Sequence, residues 1–132
     1  MKSRDAVIRL KRFEVEEKRR KLADIESMIA EFNDMAVDLD RQIAVEQERA
    51  GVTDVNHYAY PTFAKAAMQR RDNLAMSVAG LEAKLAAAKG ELEEAEEDLR
   101  KIEFMHGRDS DRARDDVPEA EFGMLGVQRV AG

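Results

Sequence analysis

Apolar residues recur along most of this chain at alternating steps of three and four, in two runs parted by one short break. The first run is Ile8, Val15, Leu22, Ile25, Ile29, Phe32, Ala36, Leu39, Ile43 and Ala50. The second is Tyr60, Ala64, Ala67, Leu74, Val78, Leu81, Leu85, Ala88, Leu92, Ala95, Leu99 and Ile102. A stripe this narrow, kept over many turns, predicts a coiled-coil seam rather than the broad apolar face of a helix in a globular core. The pattern predicts an all-α chain: a long antiparallel two-helix coiled-coil hairpin over residues 1–106 with a disordered C-terminal tail over 107–132.

Local signals place the boundaries. Ser3 is a suitable N-cap and Asp5 complements the helix dipole in the first turn, so helix 1 is expected over about 3–50. Gly51 follows as a C′ residue, and the turn covers about 51–61, where Val52, Thr53 and Val55 lower helix propensity. Helix 2 begins either at Asp54 as an N-cap or at Thr62 after Pro61. The earlier start is preferred, which gives helix 2 over about 55–106, stopping near His106 because Gly107 follows the last apolar seam position. Gly80 and Gly90 lie off the seam inside helix 2, each costing up to about 1 kcal/mol relative to Ala. They are tolerated weak spots or places where a partner's backbone comes close. Beyond Gly107 the chain is densely charged and loses its apolar period. A short patch, Phe122, Met124, Leu125 and Val127, is either a solvated end or a docking motif.

Folding the chain at about residue 55 sets positions whose numbers sum to about 110 against each other. Phe32 then meets Val78, Ile29 meets Leu81, Ile25 meets Leu85 and Leu22 meets Ala88. Charge supports the same register. Residues 1–21 carry nine Lys and Arg against four Asp and Glu, a net of +5, and residues 91–103 carry seven acids against Arg100 and Lys101, a net of −5. The hairpin lays one block along the other, with Arg12 and Arg19 facing Glu96 and Glu103, and Lys21 facing Glu91. Each such exposed pair is worth well under about 1 kcal/mol, so the blocks select the antiparallel register more than they stabilise it. Four polar residues, Lys11, Lys18, Glu46 and Arg71, stand in the seam itself. They set register, snorkel outwards or meet a partner.

Composition agrees with a thin helical molecule. The chain has 132 residues, 38% of them charged and 5% aromatic, with no Trp, which suits a structure that buries one seam and keeps most side chains wet. Helices of about 47 residues would span about 70 Å, a rod with the turn at one end and both termini at the other. No interior large enough to enclose a substrate is expected. Zero cysteines leave no disulfide framework and no thiolate metal site. No signal-peptide core and no membrane-length apolar stretch is present, so the expectation is a cytoplasmic monomer that reaches a membrane only peripherally, through partners.

Chemistry finds little to work with. The two histidines, His57 and His106, fall at opposite ends of the predicted hairpin, and no phosphate loop, dinucleotide glycine motif, HExxH or nucleophile elbow occurs. The carboxylate clusters of helix 2 lie on a wet face where burial cannot tune a general acid or base. No enzyme, cofactor or metal is expected. Nor is nucleic acid, because the acidic block neutralises the basic one and counterion release needs unpaired cations. The turn stands out instead: Tyr58, Tyr60 and Phe63 cluster around Pro61, with His57 beside them. Aromatics at a tip with little core form an interaction surface, or else pack locally to close the turn.

The segment Met1–Glu26 (MKSRDAVIRLKRFEVEEKRRKLADIE) is similar to the start of the FliJ family, coiled-coil stalk and chaperone-escort proteins of the flagellar type III export apparatus. Asp54–Leu85, around HYAYPTFAKAAMQRRDNL, resembles the turn and second helix of its alphaproteobacterial members. The resemblance covers about residues 1–106. It implies a hairpin like the shaft of a rotary ATPase, with one end in a hexameric export ATPase, another region at the cytoplasmic domain of the export gate, and contacts with export chaperones. On that reading the face bearing Arg9, Arg12 and Arg19 meets the ATPase, and the tip with Tyr58, Tyr60 and Phe63 meets the gate. The competing readings are the stalk of a virulence type III secretion system, a structural scaffold in which two chains pair in trans, and a prefoldin-like chaperone hairpin, whose base would need strands that no alternating pattern supplies.

Overall fold

A computed structural model describes residues 2–115 of the chain. Two helices account for nearly all of it, α1 (Lys2–Ala50) and α2 (Thr62–Asp115), joined by the turn 51–61, with no strand among the described residues. The described residues group into two compact units. One, the terminal unit, comprises 2–15 with 94–115; the other, the turn unit, is Glu16–Glu93.

The seam is where the spacing places it. Among the described residues every buried apolar residue is a member of one of the two heptad runs: Ile8, Val15, Ile25, Leu39, Ile43, Tyr60, Ala64, Ala67, Leu81 and Ala88. In the turn unit Ile25, Leu81 and Ala88 form one cluster, edged by Leu22, Ile29, Phe32 and Leu85, while Leu39, Ile43 and Ala67 form a second with Met68 and Leu74. The two helices are thus packed antiparallel in the expected register. The ion pairs Lys18–Glu91 and Asp40–Arg71 join residues whose numbers add to 109 and 111. The four polar seam residues are half-buried and turn their charges outward. Lys18 and Arg71 reach across to the other helix, while Lys11 and Glu46 pair along their own, with Glu14 and Arg49. No polar or charged residue is buried among the described residues, so the seam carries no unpaired interior charge.

Two boundaries differ from the sequence expectation. Helix α2 starts at Thr62 and not in the region of Asp54–Val55. Pro61 decides this: inside an earlier helix it would delete a backbone hydrogen bond and clash with the preceding turn, and it biases Tyr60 away from helical backbone. At Thr62 the same proline sits just outside, and its carbonyl accepts the amide of Lys65 at 3.2 Å. Asp54 makes an Asx turn instead of a cap, its Oδ1 accepting the Asn56 amide at 3.0 Å.

At the other end α2 does not stop near His106 but runs through Gly107 to Asp115. The heptad continues there with polar residues: Arg4 in α1, and His106 and Asp109 in α2, take the positions that apolar residues hold elsewhere. Residues 107–115, expected as tail, are therefore helical. The remainder of the expected tail, with Phe122, Met124, Leu125 and Val127, lies outside the described residues.

Helix α1 ends as its glycine predicts. Gly51 has φ of +67°, its amide donates to Gln47 and Glu48 carbonyls at 2.9 and 3.2 Å, and the Val52 amide returns to the Gln47 carbonyl at 3.3 Å. Two of these three bonds, Gly51 to Glu48 and Val52 to Gln47, make the Schellman arrangement, which satisfies carbonyls a helix end otherwise leaves open.

Candidate functional site

The turn separates its aromatics into two kinds. Tyr60 is 6% exposed. Its hydroxyl accepts from Gln47 Nε2 at 2.9 Å and donates to Met68 Sδ at 3.3 Å, tying α1 to α2 across the seam. It closes the turn, and its expected place on an exposed tip surface is corrected by this burial: the alternating spacing that made it a seam residue outweighs its neighbourhood. Tyr58 is 96% exposed and stacks on His57 with ring centroids 4.5 Å apart and an interplanar angle of 26°. Phe63, one residue into α2, is 54% exposed. The backbone that presents Tyr58 is fixed on both sides: the Ala59 amide donates to His57 Nδ1 at 3.0 Å and the Tyr60 amide to the His57 carbonyl at 3.0 Å. These bonds set the backbone path that puts the stacked pair into solvent, where an exposed aromatic is available for contact with a partner.

The basic candidates sit on α1. In the terminal unit Arg9 is exposed and has no ion pair among the described residues, while Arg12 donates from Nη2 to Glu103 at 2.8 Å, as the charge blocks predict. Arg19, in the turn unit, donates from Nη1 to Glu16 one turn back at 2.7 Å. Lys18 and Lys21 converge on one oxygen of Glu91, at 3.3 and 3.4 Å. The hydrogen bond and charge of Lys18, then those of Lys21, hold the Glu91 carboxyl below the usual carboxylate range. Arg71 is pushed the other way by its hydrogen bonds to Asp40 and Asp72.

The terminal unit adds a group that the apolar pattern did not reveal. His106 Nε2 lies 3.2 Å from Asp5 Oδ1, its Nδ1 is buried without a hydrogen-bond partner, and Arg4 pairs with Asp109 beside it. The signal was present as opposite charges at continued heptad positions. Also unmarked by the sequence reading are Met28 and Met35, exposed on one flank of the turn-unit seam. They stand seven residues apart, each immediately before a seam position.

His57 belongs to the turn unit and His106 to the terminal unit. Among the described residues no group of three or more His, Cys, Asp or Glu is arranged to hold a metal ion. No helix among them is long and apolar enough to cross a membrane. Comparison with known protein families, with curated proteins and with solved structures finds no match to this chain.

Proposed function

We propose that this chain is a non-enzymatic coiled-coil component of the flagellar type III export apparatus, working as the stalk of the export ATPase and linking it to the export gate and export chaperones. The observation that carries the reading is a two-helix hairpin whose turn presents an exposed Tyr58 stacked on His57, with Phe63 also exposed. The resemblance of residues 1–26 and 54–85 to FliJ-family sequences supports it. A hairpin of this kind offers partners its exposed helix faces and its turn. In the proposed role Arg9, Arg12 and Arg19 face the hexameric ATPase, and the tip faces the cytoplasmic domain of the gate. Tyr58 and Phe63 make the tip contact, while Tyr60 holds the turn that presents them.

The test is a pull-down of the purified chain against the flagellar ATPase and against the gate's cytoplasmic domain. Reversal of Arg9, Arg12 and Arg19 to Glu is expected to weaken ATPase binding and stimulation. Helicity is measured in parallel, because Arg12 also pairs with Glu103. Tyr58→Ser with Phe63→Ser is expected to weaken gate binding and leave ATPase stimulation intact. Failure of the unaltered chain to bind either protein overturns the proposal.

A further inference from the structure

The two flanks of the turn-unit seam are unlike. One, at Glu26, Asn33 and Asp40 of α1, is polar throughout, and Asp40 is tied across to Arg71 at 3.1 Å. The other carries Met28 and Met35, which are 43% and 51% exposed. Two open clefts lie on that flank. The first, of about 460 Å³, has Leu39 and Leu74 at its base and Met35 on its wall; the second, of about 350 Å³, has Ile25 and Leu81 at its base and Met28 on its wall.

We propose that this flank is a docking groove for one amphipathic α-helix of a partner protein. Three features define that occupant. The methionines are seven residues apart, two helical turns or about 10 Å, which is the spacing at which an incoming helix repeats its own seam residues. Unbranched thioether side chains adapt their shape to what they meet, so the groove accepts a class of apolar knobs rather than a single one. The walls differ in sign as well. The α1 wall offers Asp24 and Asp38, the α2 wall Arg70 and Lys84. Of these, Asp24, Arg70 and Lys84 have no ion pair among the described residues; Asp38 pairs with Arg41, and Arg20 and Lys21 on the same flank pair with Glu17 and Glu91. A helix with basic residues along one flank and acidic residues along the other neutralises both walls, and the sign of each wall fixes the direction in which it lies. The inference goes beyond the export reading and does not depend on it, since it concerns the side of the hairpin rather than the tip or the arginine face.

The experiment uses the full chain and a fluorescently labelled synthetic helix of four heptads, with Leu at both seam positions, Lys on one flank and Glu on the other. A scrambled peptide of the same composition is the control. Saturable anisotropy is expected with the heptad peptide only. Combining Met28→Glu with Met35→Glu is expected to weaken binding at least about tenfold, whereas Asn33→Glu on the opposite flank leaves it unchanged. Methionine-methyl spectra of the unsubstituted chain give a second reading that needs no variant: Met28 and Met35 should shift on binding, and Met76 and Met105 should not. Absence of saturable binding, undiminished binding by the double variant, or shifts at Met76 or Met105 in place of Met28 and Met35 overturns the proposal. So does a doubled mass without peptide that the double variant abolishes, because the groove then belongs to a second copy of this chain.

Discussion

The turn and the termini close the same pair of helices by opposite means. At the turn, backbone hydrogen bonds around Gly51, Asp54 and His57 fix the path, and buried Tyr60 bonds to both helices. In the terminal unit, beyond Ile8 and Ile102, the closing contacts are Arg4 with Asp109 and His106 with Asp5, all on side chains that keep a quarter or more of their surface in water. Contacts of the first kind gain from burial and geometry and are indifferent to salt. Those of the second kind are individually weak and screened. A heptad repeat therefore specifies where two helices touch without specifying how firmly they hold.

That contrast can be broken most forcefully in the apolar stretch. Ile25 is 7% exposed, more deeply set than its half-buried neighbour Phe32. Ile25→Ala is expected to cost about 2–4 kcal/mol, towards the lower value because a two-helix seam offers few walls to a cavity. The midpoint of urea unfolding measures it, and an unmoved midpoint would mean that this seam does not hold the helices together.

Next in size is the turn. Tyr60→Phe keeps the ring and strips Gln47 and Met68 of their shared partner, an expected loss of about 1 kcal/mol. Tyr58→Ser removes an exposed ring and is expected to stay within about 0.5 kcal/mol of the parent. Equal melting temperatures for the two variants would erase the distinction between a turn-closing and a presented aromatic.

The termini should respond to salt where the turn does not. At 1 M NaCl, where the screening length falls to about 3 Å, amide exchange in residues 3–10 and 103–112 is expected to quicken relative to residues 22–32. Uniform exchange at both salt concentrations would show that the polar seam holds as firmly as the apolar one.

The smallest effect concerns Glu91. Its carboxyl is held low by Lys18 and Lys21, so the folded chain binds a proton there less readily than the unfolded chain does. The stabilisation is present above the ordinary glutamate range and fades as pH falls through the lowered folded value. Glu91→Gln should flatten the acid limb of the melting curve slightly and leave the neutral region close to the parent. An acid limb steeper than the parent's would contradict the sign.

The fold was legible because burial in a hairpin needs only a stripe, and a stripe is a linear pattern; Ile8 through Ile43 and Tyr60 through Ile102 announce it directly. The end of α2 was not, because Arg4, His106 and Asp109 continue the repeat with charges, which an apolar criterion reads as an ending. The start of α2 depended on weighing Asp54 as a cap against Pro61 as a barrier, and the barrier is stronger. Tyr60 and Tyr58 differ by two residues and by nearly the full range of exposure. That difference depends on the turn path set by His57 and Pro61, which no periodicity encodes. Met28 and Met35 went unmarked for a related reason: the spacing reveals what faces the other helix, and a flank becomes visible only once both helices are in place.

The turn also orders events in time. Gln47 and Tyr60 are separated by only 13 positions, whereas Arg12 and Glu103 are separated by 91. The entropic cost of closing a loop grows with its length, and each rung laid beside an existing one encloses almost no new loop. Assembly is therefore expected to start at Gly51–Tyr60 and to zip towards the termini. During synthesis α1 emerges with Ile25, Leu39 and Ile43 bare until Ala67 and Leu81 follow, and through that interval another nascent α1 can take the vacant place. Substitutions at Gly51 should lengthen the interval by slowing closure, while substitutions at Arg4 should leave it alone and speed only the opening of the finished hairpin.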